Sequence, residues 1–244
     1  MLKLKIFMGK YKILAVIPAR KGSKRVINKN LQLINKKPLV YYAISESLKS
    51  KKITDVVLTT DSNEILRYGK KFKKLNTPFL RPSKLAKDNT ETFPVLKHAV
   101  LFMEKMKNVK YDFTVLLQPT CPIRKCSDID KSINLIIKKK ADSVISVSDV
   151  GPYHPARMKK INSKGRLINI FNNRKTENMK PIQKLEKIYI RNGAIYVSKR
   201  NVISKYKSIV GKKTFPYLMS SDRSINIDTL DDLYLARFKM QNEK

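Results

Sequence analysis

The residues with the clearest chemical potential lie in one short stretch, IPARKGSKRVINKN, which runs from Ile17 to Asn30. A glycine and a serine in this stretch permit a tight bend. The stretch also carries a row of cations and no acidic residue: Arg20, Lys21, Lys24, Arg25 and Lys29. Backbone N–H groups in such a bend and fixed cations beside it can point at the same anion. The loop follows a short apolar run that predicts a strand, and this combination can hold a triphosphate. A solvated basic turn is the alternative that this loop leaves open by itself, and the motifs further along the chain favour the phosphate site.

Two further polar residues follow apolar runs at points where they can meet a ligand. Arg81 follows Phe79–Leu80 and precedes Pro82, which keeps its backbone extended. Gln118 comes directly after the apolar run Phe113–Leu117, and its neutral amide can orient a hydroxyl group without altering the local charge. Gln118 is therefore a candidate ligand-binding residue, whereas the local sequence of Arg81 shows only its extended backbone. A surface ion pair for the arginine and a backbone cap for the glutamine are the alternatives.

Near the end of the chain, Asn226 and Asp228 are separated by one residue. In a strand, this spacing places both side chains on the same face. A triphosphate normally binds with Mg²⁺, which is held by one or two carboxylates and by phosphate oxygens. Asp228 can therefore ligate Mg²⁺ directly, whereas Asn226 offers a carbonyl oxygen without a charge.

The elements that would position these residues alternate between strand and helix. Short apolar runs predict strands at Ile13–Ile17, Asp55–Thr60, Tyr111–Leu117, Asp142–Val147, Ala194–Val197 and Ile225–Ile227. Helical spacing predicts helices at Leu39–Leu48, Asn63–Phe72, Glu91–Met106, Ser127–Lys138 and Leu230–Met240. Ser62 and Ser127 are the expected N-caps of two of these helices. The alternation predicts an α/β fold with a mostly parallel sheet, whose ligands bind at the carboxyl ends of the strands.

One region interrupts this alternation. Residues 151–187 are polar, rich in lysine and asparagine, and weakly periodic. We expect this segment to be a flexible insertion, or an arm that becomes ordered against a second subunit. The remainder of residues 12–244 predicts a single domain, preceded by an N-terminal extension at residues 1–11.

Composition excludes several classes of protein. The formal net charge of +34 attracts polyanions, so a polyanion-binding protein is the alternative from another functional class. However, the lysines are spread along the whole chain, and no RNA-binding signature or recognition-helix pattern accompanies them. No apolar run is long enough to span a bilayer, and the two cysteines, Cys121 and Cys126, lack the spacing of a zinc site. We therefore expect a cytoplasmic protein with reduced thiols, without a specific nucleic-acid or membrane partner.

Five segments resemble, in order, the motifs of the acylneuraminate cytidylyltransferases, the enzymes that activate sialic acid and its relatives. The segments are IPARKGSKRVINKN, LRPSKLAKDNT followed by VLKHA, LLQPTCPIR, RNGAIYV and SINIDT. Each is weak alone, but their order across residues 12–240 is specific. The resemblance implies a Rossmann-like nucleotidyltransferase fold and a homodimer formed through the arm at residues 151–187. It also implies a reaction in which an acidic nine-carbon sugar, such as an N-acylneuraminate, legionaminate or pseudaminate, attacks CTP and releases pyrophosphate.

The resemblance further implies roles for individual residues. Arg20 and Lys29 would hold the phosphates as catalytic residues, and Arg81 would contact the cytosine ring. The other implied substrate-binding residues are Ser23, Lys24, Asn30, Thr90, Gln118, Arg191, Asn192 and Gly193. Among these, Arg191 would lie near the carboxylate of the sugar acid, and Gly193 would allow a close approach of the backbone.

The resemblance also bears on the metal. Asp228, as a third catalytic residue, and Asn226 would hold Mg²⁺, although relatives usually present Asp-x-Asp at this point. Asp222 or Asp231 can compensate for the missing charge. A second departure is Lys21, where relatives often have glycine. Two alternatives stay open: a related nucleotidyltransferase with a different base or sugar acid, including the eight-carbon acid, or a catalytically weakened nucleotide-binding relative.

Overall fold

A computed structural model of the chain describes residues 11–170 and 180–242. Its strands, in chain order, are β1 (Ile13–Pro18), β2 (Leu33–Ile34), β3 (Lys37–Pro38), β4 (Asp55–Thr59), β5 (Leu75–Asn76), β6 (Phe113–Leu116), β7 (Ser143–Asp149), β8 (Lys159–Ile161), β9 (Leu167–Asn169), β10 (Tyr189–Lys199) and β11 (Thr214–Leu218). Its α-helices are α1 (Leu39–Lys49), α2 (Asn63–Gly69), α3 (Thr92–Lys107), α4 (Cys126–Lys139), α5 (Arg200–Lys205) and α6 (Leu230–Gln241).

A seven-stranded sheet lies at the centre, with the order β11-β7-β10-β6-β1-β4-β5. The pairs β1–β4, β1–β6, β4–β5 and β7–β11 are parallel, whereas β10 runs antiparallel to both β6 and β7. The prediction of an α/β fold with a mostly parallel sheet is therefore confirmed.

Strand β1 shows how the layers are arranged. Its side chains alternate between the two faces of the sheet. Ile13, Ala15 and Ile17 are buried in the core that also contains the inner faces of α1 and α4, while Leu14 and Val16 are buried in the core that contains α3. Both faces of the strand are apolar because helices cover the sheet on both sides, as parallel sheets require.

The predicted helix starts are partly correct. The Ser62 hydroxyl accepts a hydrogen bond from the Ile65 N–H, as expected for the N-cap of α2. Ser127, however, is not the cap of α4, which begins one residue earlier. There the carboxylate of Asp128 accepts a hydrogen bond from the Lys125 N–H at 2.9 Å. A side chain three positions into the helix thus replaces the expected serine cap.

The prediction of a strand at Ile225–Ile227 is wrong. This segment is extended but has no strand neighbour in the described part of the chain, and its Ile227 N–H instead donates to the Thr120 carbonyl at 2.9 Å. Ile225 and Ile227 are apolar because they pack beneath α6, in a core shared with Leu233. Burial under a helix and burial in a sheet therefore left the same short apolar signature.

The arm predicted at residues 151–187 contains an antiparallel hairpin, β8–β9, in which Ile161 lies opposite Leu167. Residues 171–179 of the arm lie outside the described residues, as does the predicted N-terminal extension apart from Tyr11. No helix in the described ranges is long and apolar enough to cross a membrane.

One buried ionic group joins α4 to the chain before α6. The carboxylate of Asp128 is almost fully buried and accepts hydrogen bonds from Arg223, from the Tyr217 hydroxyl and from the Lys125 N–H. Burial alone would raise the pKa of Asp128, but these hydrogen bonds together hold the pKa below its usual value. The charged carboxylate therefore stabilises the folded state.

We expect Asp128→Asn to lower the free energy of unfolding at pH 7 by about 2 kcal/mol, because Arg223 loses a charged acceptor. A carboxyl group with a lowered pKa stabilises the fold above its unfolded pKa of about 4 and loses this contribution as the pH falls through its folded value. Urea denaturation at several pH values should therefore show the variant and the wild type converging at acidic pH. The exposed Glu64→Gln serves as a control that leaves stability within about 0.5 kcal/mol, and an unchanged Asp128→Asn would contradict the assignment.

Candidate active site

A cavity of about 330 Å³ opens at the carboxyl ends of β1, β4 and β6. Most of the predicted site residues line it: Arg20, Ser23, Lys29, Asn30, Arg81, Thr90, Gln118, Asn226 and Asp228. The structure therefore brings together residues from four of the five motifs. The wall also contains residues that were not predicted to contact a substrate, namely Pro18, Gly22, Thr92, Val95, Pro119 and Thr120.

The cationic loop is fixed in place by backbone hydrogen bonds and short polar contacts. The Ala19 N–H donates to the Thr59 carbonyl at 3.0 Å, which joins the start of the loop to the end of β4. The Lys21 N–H donates to Asp61 at 2.8 Å, and the Asn30 side-chain amide donates to the Arg20 carbonyl at 2.9 Å. Asn30 thus closes the loop on itself, so that its two ends lie side by side at the cavity.

Two carboxylates contact the cations of the loop. One carboxylate oxygen of Asp88 forms an ion pair with the Arg20 guanidinium, and the other forms an ion pair with the Lys24 ammonium at 3.0 Å. The Lys29 ammonium lies 3.0 Å from Asp228 and also donates to the Ile227 carbonyl at 2.6 Å. The hydrogen bonds from Arg20 and Lys24 lower the pKa of the Asp88 carboxyl. Arg20 and Lys29 at the cavity therefore each have an anionic partner within the protein.

Arg81 provides a second, more buried cation. Its guanidinium donates to the Thr59 hydroxyl at 3.1 Å and to the Thr59 carbonyl. The backbone N–H of Arg81 donates to the Thr60 carbonyl at 2.7 Å. Burial lowers its pKa to about 10, so the group stays protonated at neutral pH. Among the described residues it forms no ion pair, which excludes the surface ion pair considered above.

The backbone at Gly193 closely approaches other side chains of the protein, while its approach to the sugar stays a prediction. Gly193 has a φ of +77°, and a Cβ atom there would lie 3.1 Å from the Gln118 side-chain oxygen and 3.5 Å from that of Asn226. The residue sits where β10 changes register, between Arg191 and Tyr196. Any side chain would combine an unfavourable backbone conformation with crowding against Gln118.

Asn226 and Asp228 do meet, although they do not belong to a strand. The Asn226 amide nitrogen donates to Asp228 at 2.8 Å, and its amide oxygen faces the Cys121 sulfur at 3.7 Å. Burial raises the pKa of Cys121 to about 11, so this thiol is neutral. In the described ranges no group of three His, Cys, Asp or Glu side chains is placed to hold a metal ion, which leaves Asp228 as the carboxylate on the cavity wall.

Besides Gly193, three predicted site residues do not line the cavity. Lys24 contacts it only indirectly, through Asp88, and its side chain is 84% exposed. Arg191 is exposed at the start of β10. Asn192 is buried, and its amide is used within the protein, where it accepts from Ser146 at 2.6 Å and donates to Ser224 at 2.9 Å. Direct substrate contacts by these three residues stay predictions.

Asp88 and Thr59 were not singled out in the sequence, although both shape the site. Asp88 lies within the second motif, LRPSKLAKDNT, where it is the only acidic residue, and that isolation is a signal that could have identified it. Thr59 ends a predicted strand, and nothing in its local sequence shows that an arginine from a later segment would bind it.

Comparison with known proteins bears directly on this site. A family model described as Cytidylyltransferase matches residues 14–244. The chain is 35% identical to a CMP-N,N'-diacetyllegionaminic acid synthase of Legionella pneumophila, over 94% of this chain and 97% of that protein. It is 31% identical to an N-acylneuraminate cytidylyltransferase of Escherichia coli, over 92% of this chain but only 51% of that protein.

Solved structures agree with the fold. A CMP-2-keto-3-deoxy-manno-octonic acid synthetase in complex with CTP superposes with a TM-score of 0.68 at 18% identity, covering 96% of this chain and all of the other. At that identity the likeness concerns the fold alone. The family model, the relatives and the motif residues gathered at one cavity lead to the same conclusion: this chain belongs to the cytidylyltransferase family.

Proposed function

We propose that this protein transfers CMP from CTP to an acidic nine-carbon sugar of the sialic acid type and releases pyrophosphate. The observation that carries this proposal is the presence of Arg20, Lys29 and the buried Arg81 in one cavity at the carboxyl edge of the sheet. Because CTP is a cytoplasmic metabolite, the reaction would take place in the cytoplasm.

The relatives' names favour one acceptor. Two CMP-N,N'-diacetyllegionaminic acid synthases, from Legionella pneumophila and Campylobacter jejuni, are 35% and 31% identical to this chain over nearly their whole lengths. A pseudaminic acid cytidylyltransferase of Campylobacter jejuni is 25% identical. We therefore propose a legionaminate as the preferred acceptor, ahead of pseudaminate and N-acylneuraminate.

The chemical step is a displacement at phosphorus. The anomeric hydroxyl oxygen of the sugar forms a bond to the α-phosphorus of CTP, the bond to the bridging oxygen of pyrophosphate breaks, and the hydroxyl proton leaves to solvent. Arg20 and Lys29 would offset the negative charge that builds on the phosphate oxygens, since positioning and electrostatic stabilisation dominate such transfers. Lys24 would add to the positive potential, while Ser23 and Asn30 would hold the loop against the nucleotide.

Arg81 would recognise the cytosine ring. Its guanidinium can donate to the carbonyl oxygen and the ring nitrogen of the base in a planar arrangement, and burial strengthens such charge-assisted hydrogen bonds. The Thr59 contacts hold this side chain in a fixed orientation before the base arrives. Thr90 lies on the same wall and is a further candidate contact to the nucleotide.

The acceptor sugar would bind on the other side of the cavity. Gln118 lies there beside the bulge at Gly193, which allows its amide to reach a sugar hydroxyl. Arg191 would supply the cation for the sugar carboxylate, and Asn192 would support it from within the protein. These assignments follow from the family motif and from the position of Gly193.

Mg²⁺ would arrive with CTP and be held by Asp228. The residues present are compatible with this, because Mg²⁺ on a triphosphate needs as few as one protein carboxylate. When bound, it would neutralise charge on the phosphates. Asn226 already donates an N–H to this carboxylate and adds no charge, so the site would bind Mg²⁺ less tightly than a pair of aspartates.

A homodimer formed through the arm is the proposed assembly. Ile161 and Leu167, which face each other across the β8–β9 hairpin, are 71% and 70% exposed. A two-stranded hairpin is marginally stable alone, and exposed apolar side chains on it would gain from cover by a second copy.

The proposed function is tested by incubating the protein with CTP, Mg²⁺ and a panel of acidic sugars: legionaminate, pseudaminate, N-acetylneuraminate and 3-deoxy-manno-octulosonate. We expect a CMP-sugar by mass spectrometry, with one pyrophosphate released per product and the highest rate with legionaminate. Lys29→Met should lower the rate by about 10²-fold or more, whereas Lys74→Met, on the surface away from the cavity, should not. Absence of turnover with every sugar would refute the proposal, and highest activity with the eight-carbon acid would correct the acceptor.

The metal assignment predicts the effect of Asn226→Asp. A second carboxylate beside Asp228 should lower the Mg²⁺ concentration for half-maximal rate by about tenfold, and should tighten Mn²⁺ binding in the presence of CTP, measured by electron paramagnetic resonance. Asp231→Asn removes an exposed carboxylate outside the cavity and is the matched control. If Asp231→Asn raised the requirement while Asn226→Asp left it unchanged, Asp231 rather than Asp228 would be the ligand.

The dimer proposal predicts that replacing both Ile161 and Leu167 by lysine yields monomers in sedimentation velocity. Phe238→Lys makes the same kind of change at a 66% exposed site on α6 and should leave the dimer intact. A dimer that survives the double substitution, or a monomeric wild type, would rule out the hairpin as the interface.

A further inference from the structure

Arg124 is the largest fully buried side chain of the described residues, and neither the motif analysis nor the proposed mechanism assigns it a role. Arg124 is 2% exposed, and in residues 11–170 and 180–242 no carboxylate lies within ion-pair distance of its guanidinium. Burial lowers its pKa, and its Nε atom has no hydrogen-bond partner. A guanidinium buried without an ion-pair partner lowers the stability of the folded state, since buried charges are normally paired.

The hydrogen bonds of Arg124 join two parts of the site. Its Nη1 donates to the Ala194 carbonyl at 2.7 Å and to the Gln118 carbonyl at 3.2 Å. Gln118 follows the end of β6, and Ala194 follows Gly193 in the irregular part of β10. The antiparallel pairing of these strands extends as far as Leu116 and Tyr196, so Arg124 connects them just beyond their last paired residues.

This position determines what Arg124 can influence. A Cβ atom at position 193 would lie only 3.1 Å from the Gln118 side-chain oxygen, so a small shift of either backbone changes the space that this amide occupies. Arg20, Lys29 and Arg81 are held by other contacts, to Asp88, Asp228 and Thr59 respectively. Substitution of Arg124 should therefore displace Gln118, on the acceptor side of the cavity, and leave the positions of the nucleotide-side cations unchanged.

We propose that Arg124 is a positioning residue, which fixes Gln118 against the Gly193 bulge and thereby orients the acceptor sugar without touching it. This inference rests on the proposed function. A purely structural role would favour an apolar residue of similar volume, because replacing a buried ion by a hydrophobic side chain is often neutral or stabilising. The retained charge instead holds two backbone carbonyls that a methionine cannot hold.

The test compares Arg124→Lys and Arg124→Met with the wild type in three measurements: kcat/KM for the sugar, the Kd of CTP by calorimetry without sugar, and the melting temperature. Because misplacement by about 1 Å can cost about 10²-fold in rate, we expect Arg124→Met to lose about that factor in kcat/KM for the sugar. Arg124→Lys, which keeps the charge but not the planar fork, should lose about tenfold. The Kd of CTP should change by less than about threefold in both variants.

Arg200→Met is the control for a structural arginine. Arg200 forms a two-point ion pair with Glu104, at 2.7 and 2.9 Å, outside the cavity lining. Its replacement should lower the melting temperature and leave kcat/KM for the sugar nearly unchanged. If Arg124→Met does not fold, the test is made with Arg124→Lys alone. That variant should then lose kcat/KM for the sugar while its Kd for CTP stays nearly unchanged.

Two results would overturn the inference while the proposed function stands: an active wild type with unchanged kcat/KM in Arg124→Lys, or an equal loss of sugar and CTP binding. A wild type that turns over none of the sugars would refute the proposed function, and the inference about Arg124 with it.

Discussion

The site depends on one geometric constraint, the in-register parallel pairing of β1 with β4 and β6. Val16 lies beside Val57 on one side and Leu116 on the other, so all three strands end at the same edge of the sheet. The chains leaving β1 and β6 then contribute polar residues to the cavity, and Thr59 at the end of β4 holds the Arg81 side chain there. The hydrogen bond from Ala19 to Thr59, and that from Leu117 to Val16, extend the sheet by one step and hold the loops at its edge. Buried apolar strands thus fix the positions of cations that come from segments far apart in sequence.

The parts of the fold that the sequence could predict are those with a strong local signal. Strand β1 and helices α1 and α3 have clear apolar runs or helical spacing, and their observed bounds differ from the predicted ones by at most one residue. The short segment at Ile225–Ile227 was mistaken for a strand, because an apolar run does not reveal whether its neighbour is a strand or a helix. Strand β10 is longer than the apolar run at Ala194–Val197 indicated, since its first residues are exposed and pair with β7. Such pairing is decided by the partner strand and leaves little trace in the local sequence.

The candidate site follows the same division. Arg20, Lys29 and Arg81 could be found because cations beside a bend, or after an apolar run, stand out locally and match an ordered set of motifs. The partners of these cations could not be found in this way. Asp88 contacts Arg20 across 68 residues, and Lys29 contacts Asp228 across 199, so these pairs exist only once the sheet has formed. The burial of Arg124 could not be predicted from the local sequence either, because it depends on the elements that pack around the side chain on all sides. The sequence indicates which groups are present, and the tertiary structure decides which charges are neutralised and which stay unpaired.

The reversed direction of β10 has an evolutionary consequence. The chains that follow β1 and β6 reach the cavity, whereas β10 runs in the opposite direction, so that Gly193 in its first half lies beside Gln118 of the cavity wall. The connection between β7 and β10 leads into this half of β10, so residues gained or lost there would move Gly193 relative to Gln118 while the register of β1, β4 and β6 is preserved. Under the proposed function, such a change would alter how the acceptor sugar binds without altering how CTP binds. Related proteins with this sheet would then acquire different acceptors through changes in a single connection.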